Sequence, residues 1–203
     1  AFAMLALLAS CGSKKKIYHA DARMNEQTIV PKGKSEKREQ KKKEKELVYS
    51  SDPTTRYIQQ YAAIAQEEMR RYKIPASITL AQGLLESQLG QGVLAKKSNN
   101  HFGIKCKREW KGKKVYHDDD APGECFRAYE DPKESYRDHS LFLAERERYA
   151  SLFRLKKTDY KAWAKGLKKA GYATDPAYAD KLIGLIERLS LWKYDNPKVS
   201  PDF

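Results

Sequence analysis

Apolar residues first fall into a helical spacing just after Asp52 and Pro53, a pair suited to capping and starting a helix. The spacing runs through Tyr57, Ile58, Tyr61, Ile64, Ala65 and Met69. A second helix is expected over residues 75–90, with Ile78, Ala81, Leu85 and Leu89 as the stripe that faces the core. Over 103–129 the pattern shortens to strand-like runs broken by turn formers, FGIKC, KKVYH, APG and ECFRAY, which predict a small antiparallel β-lobe. The helical period then resumes after Asp131 and Pro132 through Tyr136, Ser140, Leu141 and Leu143. It continues through Tyr160, Trp163 and Leu167, and finally through Tyr178, Leu182, Leu185, Ile186 and Leu189. The expected fold class is therefore mainly α with a small antiparallel β-lobe, an α+β arrangement, and no internal repeat is visible.

Length and composition place boundaries on this pattern. A chain of 203 residues that is 40% apolar and 11% aromatic suffices for one sizeable domain, which the pattern puts at 52–195 with a polar tail at 196–203. The opening run AFAMLALLAS (1–10) is too short to span a bilayer and ends in small residues directly before Cys11. Leu8, Ala9, Ser10 and Cys11 resemble a bacterial lipobox, which implies a signal-peptide remnant, cleavage before Cys11 and lipidation of that residue. A buried first helix with a free Cys11 is the alternative.

Residues 12–50 hold twelve Lys or Arg against six Asp or Glu and almost no aliphatic side chains. Such a segment buries too little to offset its ordering entropy, so 11–51 reads as a lipid-anchored basic tether. The net charge of +13 would suit nucleic acid, but no basic stripe is interleaved with stacking aromatics, and an export signal argues against it. Anionic wall polymers and lipid headgroups fit better.

If Cys11 carries lipid, Cys106 and Cys125 are the remaining pair. Their spacing brackets a strand-turn-strand pattern, so the sulfurs can meet at the open end of a hairpin as a disulfide, with two free thiols as the alternative. A zinc site would want four ligands and closely paired cysteines, so no metal is expected.

The chemistry centres on Glu86. It lies beside the apolar stripe of the second helix, with Thr79, Gly83 and Gly90 along its line. Small residues there would let a bulky ligand cross, and Gly83 costs about 1 kcal/mol against Ala in a helix interior, which close approach to the backbone would explain. A carboxyl near a helix C-terminus is disfavoured as the anion and suits a general acid. Taken alone, Glu86 reads equally well as an ordinary boundary residue with a basic partner.

Four blocks in order, LAQGLLESQLGQG, SNNHFGIK, FRAYEDPKESYRDHSLFL and KKAGYATDPAYADKLIGLIE, resemble the glucosaminidase family, glycoside hydrolase family 73, over the whole expected domain. The resemblance implies a lysozyme-like fold and hydrolysis, without cofactor or metal, of the β-1,4 bond between N-acetylglucosamine and N-acetylmuramic acid in peptidoglycan. It makes Glu86 the proton donor and gives Tyr172 a positioning or charge-stabilising role. It assigns Asn100, Phe102 and Lys105 to the substrate cleft. The second carboxylate is expected in the β-lobe among Asp118, Asp119, Asp120 and Glu124, with Asp118 favoured by its place after the strand VYH. Asp138 and His139 do not form a dyad, since neighbours on a helix point about 100° apart.

The expected setting is the cell envelope, as a periplasm-facing outer-membrane lipoprotein that works as a monomer on glycan strands. A wall-binding lipoprotein without turnover, a muramidase and a lytic transglycosylase are the rival readings.

Overall fold

The computed structural model describes residues 50–199. The expectations for Cys11, for the signal remnant and for nearly all of the tether fall outside them. Helix α1, Pro53–Tyr72, starts as expected: the Asp52 side chain accepts from the Thr55 amide at 2.7 Å and Pro53 occupies the first turn. It buries Tyr57, Ile58, Ala62, Ala65 and Met69 and stops where Lys73 turns left-handed (φ 68°).

Helix α2, Ala76–Glu86, is the central element, buried at every position from Ala76 to Leu84. Its first turn is capped from the far end of the chain. Asp195, buried near the C-terminus, accepts from the Ser77 amide at 2.8 Å and the Ser77 hydroxyl at 2.6 Å. Burial lifts the Asp195 carboxyl to about 6.

The helix ends at Glu86 and not at Gly90 as the sequence suggested. Gln88, Leu89 and Gly90 are all left-handed, with φ of 51°, 60° and 74°. The Ser87 hydroxyl donates to the Gly83 carbonyl and accepts from the Gly90 amide at 2.8 Å, which reverses the chain. Gly90 therefore does not continue the helical line through Glu86.

Helix α3, Val93–Ser98, leads to the β-lobe. Strands β1, Lys114–His117, and β2, Glu124–Arg127, pair antiparallel with Val115 opposite Phe126 and Tyr116 opposite Cys125. The FGIKC run is not a third strand as expected; it makes one isolated bridge, Lys105 to Phe126. Gly103 is left-handed (φ 58°), and the Asn100 amide takes the carbonyls of Ile104 and Arg127 at 3.0 and 2.9 Å, so a side chain replaces part of a ladder. Cys106 and Cys125 stand side by side, Cα atoms 5.3 Å apart and sulfurs at bonding separation.

Helix α4, Pro132–Ala144, is capped by Asp131, whose side chain accepts from the Lys133 amide at 2.8 Å. A 3-10 segment, Glu147–Arg154, then helices α5, Tyr160–Lys169, and α6, Tyr178–Arg188, and a last 3-10 turn, Leu191–Asp195, complete the domain. Trp163, Leu167, Leu182 and Ile186 from α5 and α6 join the core formed around α2. Among the described residues no helix is long and apolar enough to cross a membrane.

Gly83 receives an explanation different from the one its sequence invites. A methyl group there would lie 2.5 Å from the Tyr57 hydroxyl and 3.1 Å from that of Tyr136. These hydroxyls bond to each other at 2.8 Å and Tyr57 bonds to His101 Nδ1 at 3.0 Å, all buried. The close approach is made by the protein's own tyrosines, not by a ligand. Gly83→Ala should lower unfolding free energy by about 1–3 kcal/mol through overpacking despite the better helix propensity of Ala. Gly184→Ala in α6, where an added methyl meets nothing within 4 Å, should raise it by up to about 1 kcal/mol. Urea denaturation of the two variants tests the pair, and equal effects would refute the packing argument.

Candidate active site

A cavity of about 440 Å³ opens beside the end of α2, with Glu86, Phe102, Lys105, His139 and Tyr172 in its lining. Glu86 is the last residue of α2, so its carboxyl leaves the buried helix at the cavity edge. Its side chain is exposed to the cavity, so the surrounding protein thins the solvent around the carboxyl without excluding it. Loss of solvent raises its carboxyl above the ordinary range, a hydrogen bond from Tyr178 pulls it back down, and the negative charge of Asp119 pushes it up. The helix C-terminus disfavours the anion in the same sense.

Tyr178 is the functional residue that sequence reasoning missed. It opens α6, and its hydroxyl donates to Glu86 Oε1 at 3.1 Å. Gln82, one turn before Glu86, donates from Nε2 to the same hydroxyl at 2.9 Å. With its lone pair engaged by Gln82, the phenol proton points at Oε1, which leaves Oε2 to carry an acidic proton. Helical spacing offered a signal for Gln82, four residues before Glu86; Tyr178 was hidden among residues read as core.

Aromatic rings continue this wall. Tyr172 stacks on Tyr178 with centroids 5.5 Å apart, and Phe142 meets Tyr172 edge-on at 6.0 Å. Phe102, 8% exposed, stacks on His139 at 4.1 Å. His139 is buried with neither ring nitrogen bonded among the described residues, and burial lowers it to about 3, so the ring is neutral. Asp138 turns away from His139 to accept from Arg127 at 2.7 Å and Tyr129 at 2.8 Å, in keeping with the absence of a dyad.

The four β-lobe carboxylates have separate roles. Asp118, favoured from sequence, directs Oδ1 to the Gly123 amide at 2.7 Å and closes the hairpin loop, whereas Asp119 is the neighbour whose charge acts on Glu86. Lys105 is committed to this acidic group: its ammonium lies 2.6 Å from Asp120, 2.8 Å from Glu124 and 3.5 Å from Asp119. Oxygens of Asp119, Asp120 and Glu124 lie within 4.8 Å of one another, a spacing that could hold a cation. The Lys105 charge already sits among them, so a metal would have to displace it. Asn100 differs most from expectation. It is 1% exposed, and its oxygen accepts from the Ile104 amide at 3.0 Å while its nitrogen serves two carbonyls. Both amide hydrogens and the oxygen thus fasten the β-lobe.

The model of the family described as mannosyl-glycoprotein endo-beta-N-acetylglucosaminidase matches residues 62–191. The chain is 32% identical to peptidoglycan hydrolase FlgJ of Vibrio parahaemolyticus over 68% of its own length and 48% of that protein. It is 35% identical to exo-glucosaminidase LytG of Bacillus subtilis over 70% of this chain and 55% of that one. It thus spans about half the length of these relatives. Among solved structures, the glycoside hydrolase domain of Salmonella typhimurium FlgJ superposes with a TM-score of 0.59 at 29% identity, over 69% of this chain and 90% of that one. The catalytic domain of the Listeria monocytogenes autolysin Auto gives 0.61 at 28% identity, over 81% and 99%.

The opposing influences on Glu86 can be separated by following its carboxyl carbon through a pH titration by NMR. Tyr178→Phe removes the donor to the anion and should shift the Glu86 midpoint upward. Asp119→Asn removes the neighbouring negative charge and should shift it downward. Shifts of the same sign in both variants would contradict the arrangement.

Proposed function

The chain belongs to the glucosaminidase family, and from this we propose that it hydrolyses the β-1,4 bond between N-acetylglucosamine and N-acetylmuramic acid in peptidoglycan as an endo-acting enzyme. The observation that carries the reading is Glu86 exposed at the cavity edge with one carboxyl oxygen held by the Tyr178 hydroxyl. In this scheme Glu86 gives its Oε2 proton to the glycosidic oxygen as the C1–O bond breaks and positive charge develops on the sugar. Tyr172, stacked behind Tyr178 in the cavity lining, positions the ring and faces that charge. Water then adds to C1, its hydroxyl forming the new bond and its proton passing to a β-lobe carboxylate. We assign that base to Asp119 in place of Asp118, on the strength of its electrostatic reach to Glu86. Phe102 contributes an apolar contact, and Lys105 keeps the acidic hairpin in register.

The setting we propose is the cell envelope, with Cys11 lipidated in the outer membrane, residues 11–51 as a periplasmic tether and a Cys106–Cys125 disulfide bracing the hairpin. The name of the Bacillus relative, an exo-glucosaminidase, supports a second mode in which terminal sugars are released. Product analysis separates the readings: incubation with purified peptidoglycan should yield new N-acetylglucosamine reducing ends within the strand by mass spectrometry. Single terminal sugars would indicate exo action, N-acetylmuramic acid ends a muramidase and anhydro ends a lytic transglycosylase. Glu86→Gln should lower the rate by about 10²–10⁴-fold. Undiminished release by that variant would remove Glu86 from its role.

A further inference from the structure

Four cations border the cavity that holds Glu86: Lys105, Lys107, Arg127 and Arg146. Two of them are accounted for. Lys105 is held by the acidic hairpin, and Arg127 binds Asp138 at 2.7 Å with its guanidinium over the Trp110 ring at 4.4 Å. Lys107 and Arg146 make no ion pair among the described residues.

Arg146 is not a free surface side chain. Its guanidinium lies 3.5 Å from the centroid of the Phe142 ring, and Nη1 donates to the Phe142 carbonyl at 3.1 Å. That seating fixes the planar fork and lowers the entropy lost when a ligand binds. Burial pushes the guanidinium down, and the charges of Arg148 and Arg127 push the same way against the single opposing carboxylate of Glu145. Glu145 acts on it through charge alone, and no carboxylate among the described residues forms an ion pair with the guanidinium. Phe142 touches Tyr172 and Tyr172 touches Tyr178, which binds the acid. One continuous aromatic wall therefore leads from Glu86 to Arg146.

We propose that Arg146, assisted by Lys107, is a carboxylate subsite of the catalytic cavity that receives the acid group carried on the N-acetylmuramic acid side of the scissile bond. The inference rests on the glucosaminidase reading above. A pinned guanidinium with N–H groups left over suits a carboxylate, which it can hold with two parallel hydrogen bonds. In peptidoglycan that carboxylate is either the lactyl group itself, where the peptide has been removed, or an acidic residue of the stem peptide. A polymer of N-acetylglucosamine alone carries neither, so the subsite would discriminate wall glycan from chitin.

The test is calorimetric binding to the full chain carrying Glu86→Gln, with and without Arg146→Gln, using three ligands. These are chitohexaose, a peptide-free peptidoglycan oligosaccharide and the same oligosaccharide with its stem peptides. Arg146→Gln should weaken carboxylate-bearing ligands about 10-fold, the loss of one charge-assisted contact, and leave chitohexaose unchanged. Loss with the peptide-free ligand alone assigns the lactyl carboxylate, loss with the peptide-bearing one alone assigns the stem, and loss with both shows that either acid group fills the subsite. Retained chitohexaose binding also certifies the fold of the variant. Equal weakening of all three ligands, or of none, overturns the subsite while sparing the enzyme assignment. Failure of the Glu86→Gln protein to bind any of the three would take down the glucosaminidase reading and the subsite with it.

Discussion

A helix buried on all sides must have its end groups satisfied by something other than water, and α2 is such a helix. Its N-terminal amides are met by Asp195 from the last turn of the domain, and its C-terminal carbonyls by the Ser87 hydroxyl and the left-handed run behind it. The chain must therefore leave the core abruptly at Glu86. The same constraint fixes what can pack against the helix, since the Tyr57 and Tyr136 hydroxyls reach Gly83 closely enough to exclude any side chain there. The acid's position is thus a by-product of how the core is closed. Helices α1 and α4 supply the tyrosines, and the C-terminal turn supplies the cap.

Three influences act on the carboxyl placed there, and their balance is what makes it useful. Desolvation and the Asp119 charge favour the protonated form, while the Tyr178 hydroxyl favours the anion. An acid that must give up a proton and then exist as a carboxylate needs both tendencies. Because Gln82 and Glu86 share α2 while Tyr178 opens α6, their registry follows from the packing of two helices. The aromatic wall through Tyr172 and Phe142 extends that rigidity along the cavity.

Helical periodicity was legible because the apolar stripes of α1, α4, α5 and α6 repeat over several turns, and their caps at Asp52 and Asp131 carry their own signals. The end of α2 was not legible. Gln88 and Leu89 are left-handed although nothing in a glutamine or a leucine announces it, and only Gly90 carried a turn signal. Gly83 was recognised as a position of close approach, but a sequence does not say who approaches. Asn100 was ambiguous for a related reason. Its amide can bind a sugar or a backbone equally well, and the missing third strand that it replaces was itself inferred from local pattern. Glu86 was singled out by its blocks of neighbours in the sequence. Its partners Tyr178 and Asp119 come from a separate helix and a hairpin tip, so only the fold could bring them to it.

The two walls of the cavity are built by different means, and this bears on how the site works. The helical wall rests on core packing around α2. The β-lobe wall is a two-stranded sheet, too small to be stable alone; it is tied to the helices through the Asn100 amide and through Arg127 and Tyr129 on Asp138 of α4, and braced internally by the Lys105 cluster and the Cys106–Cys125 contact. Lys105 is central because it bridges the segment entering the lobe to the hairpin tip that holds Asp119, Asp120 and Glu124. Such exposed ion pairs are individually weak, and their strength here comes from one ammonium serving several carboxylates in a loop already closed by Asp118. Glu86 is consequently placed by core packing around α2, and the β-lobe carboxylates by a hairpin gathered on one ammonium.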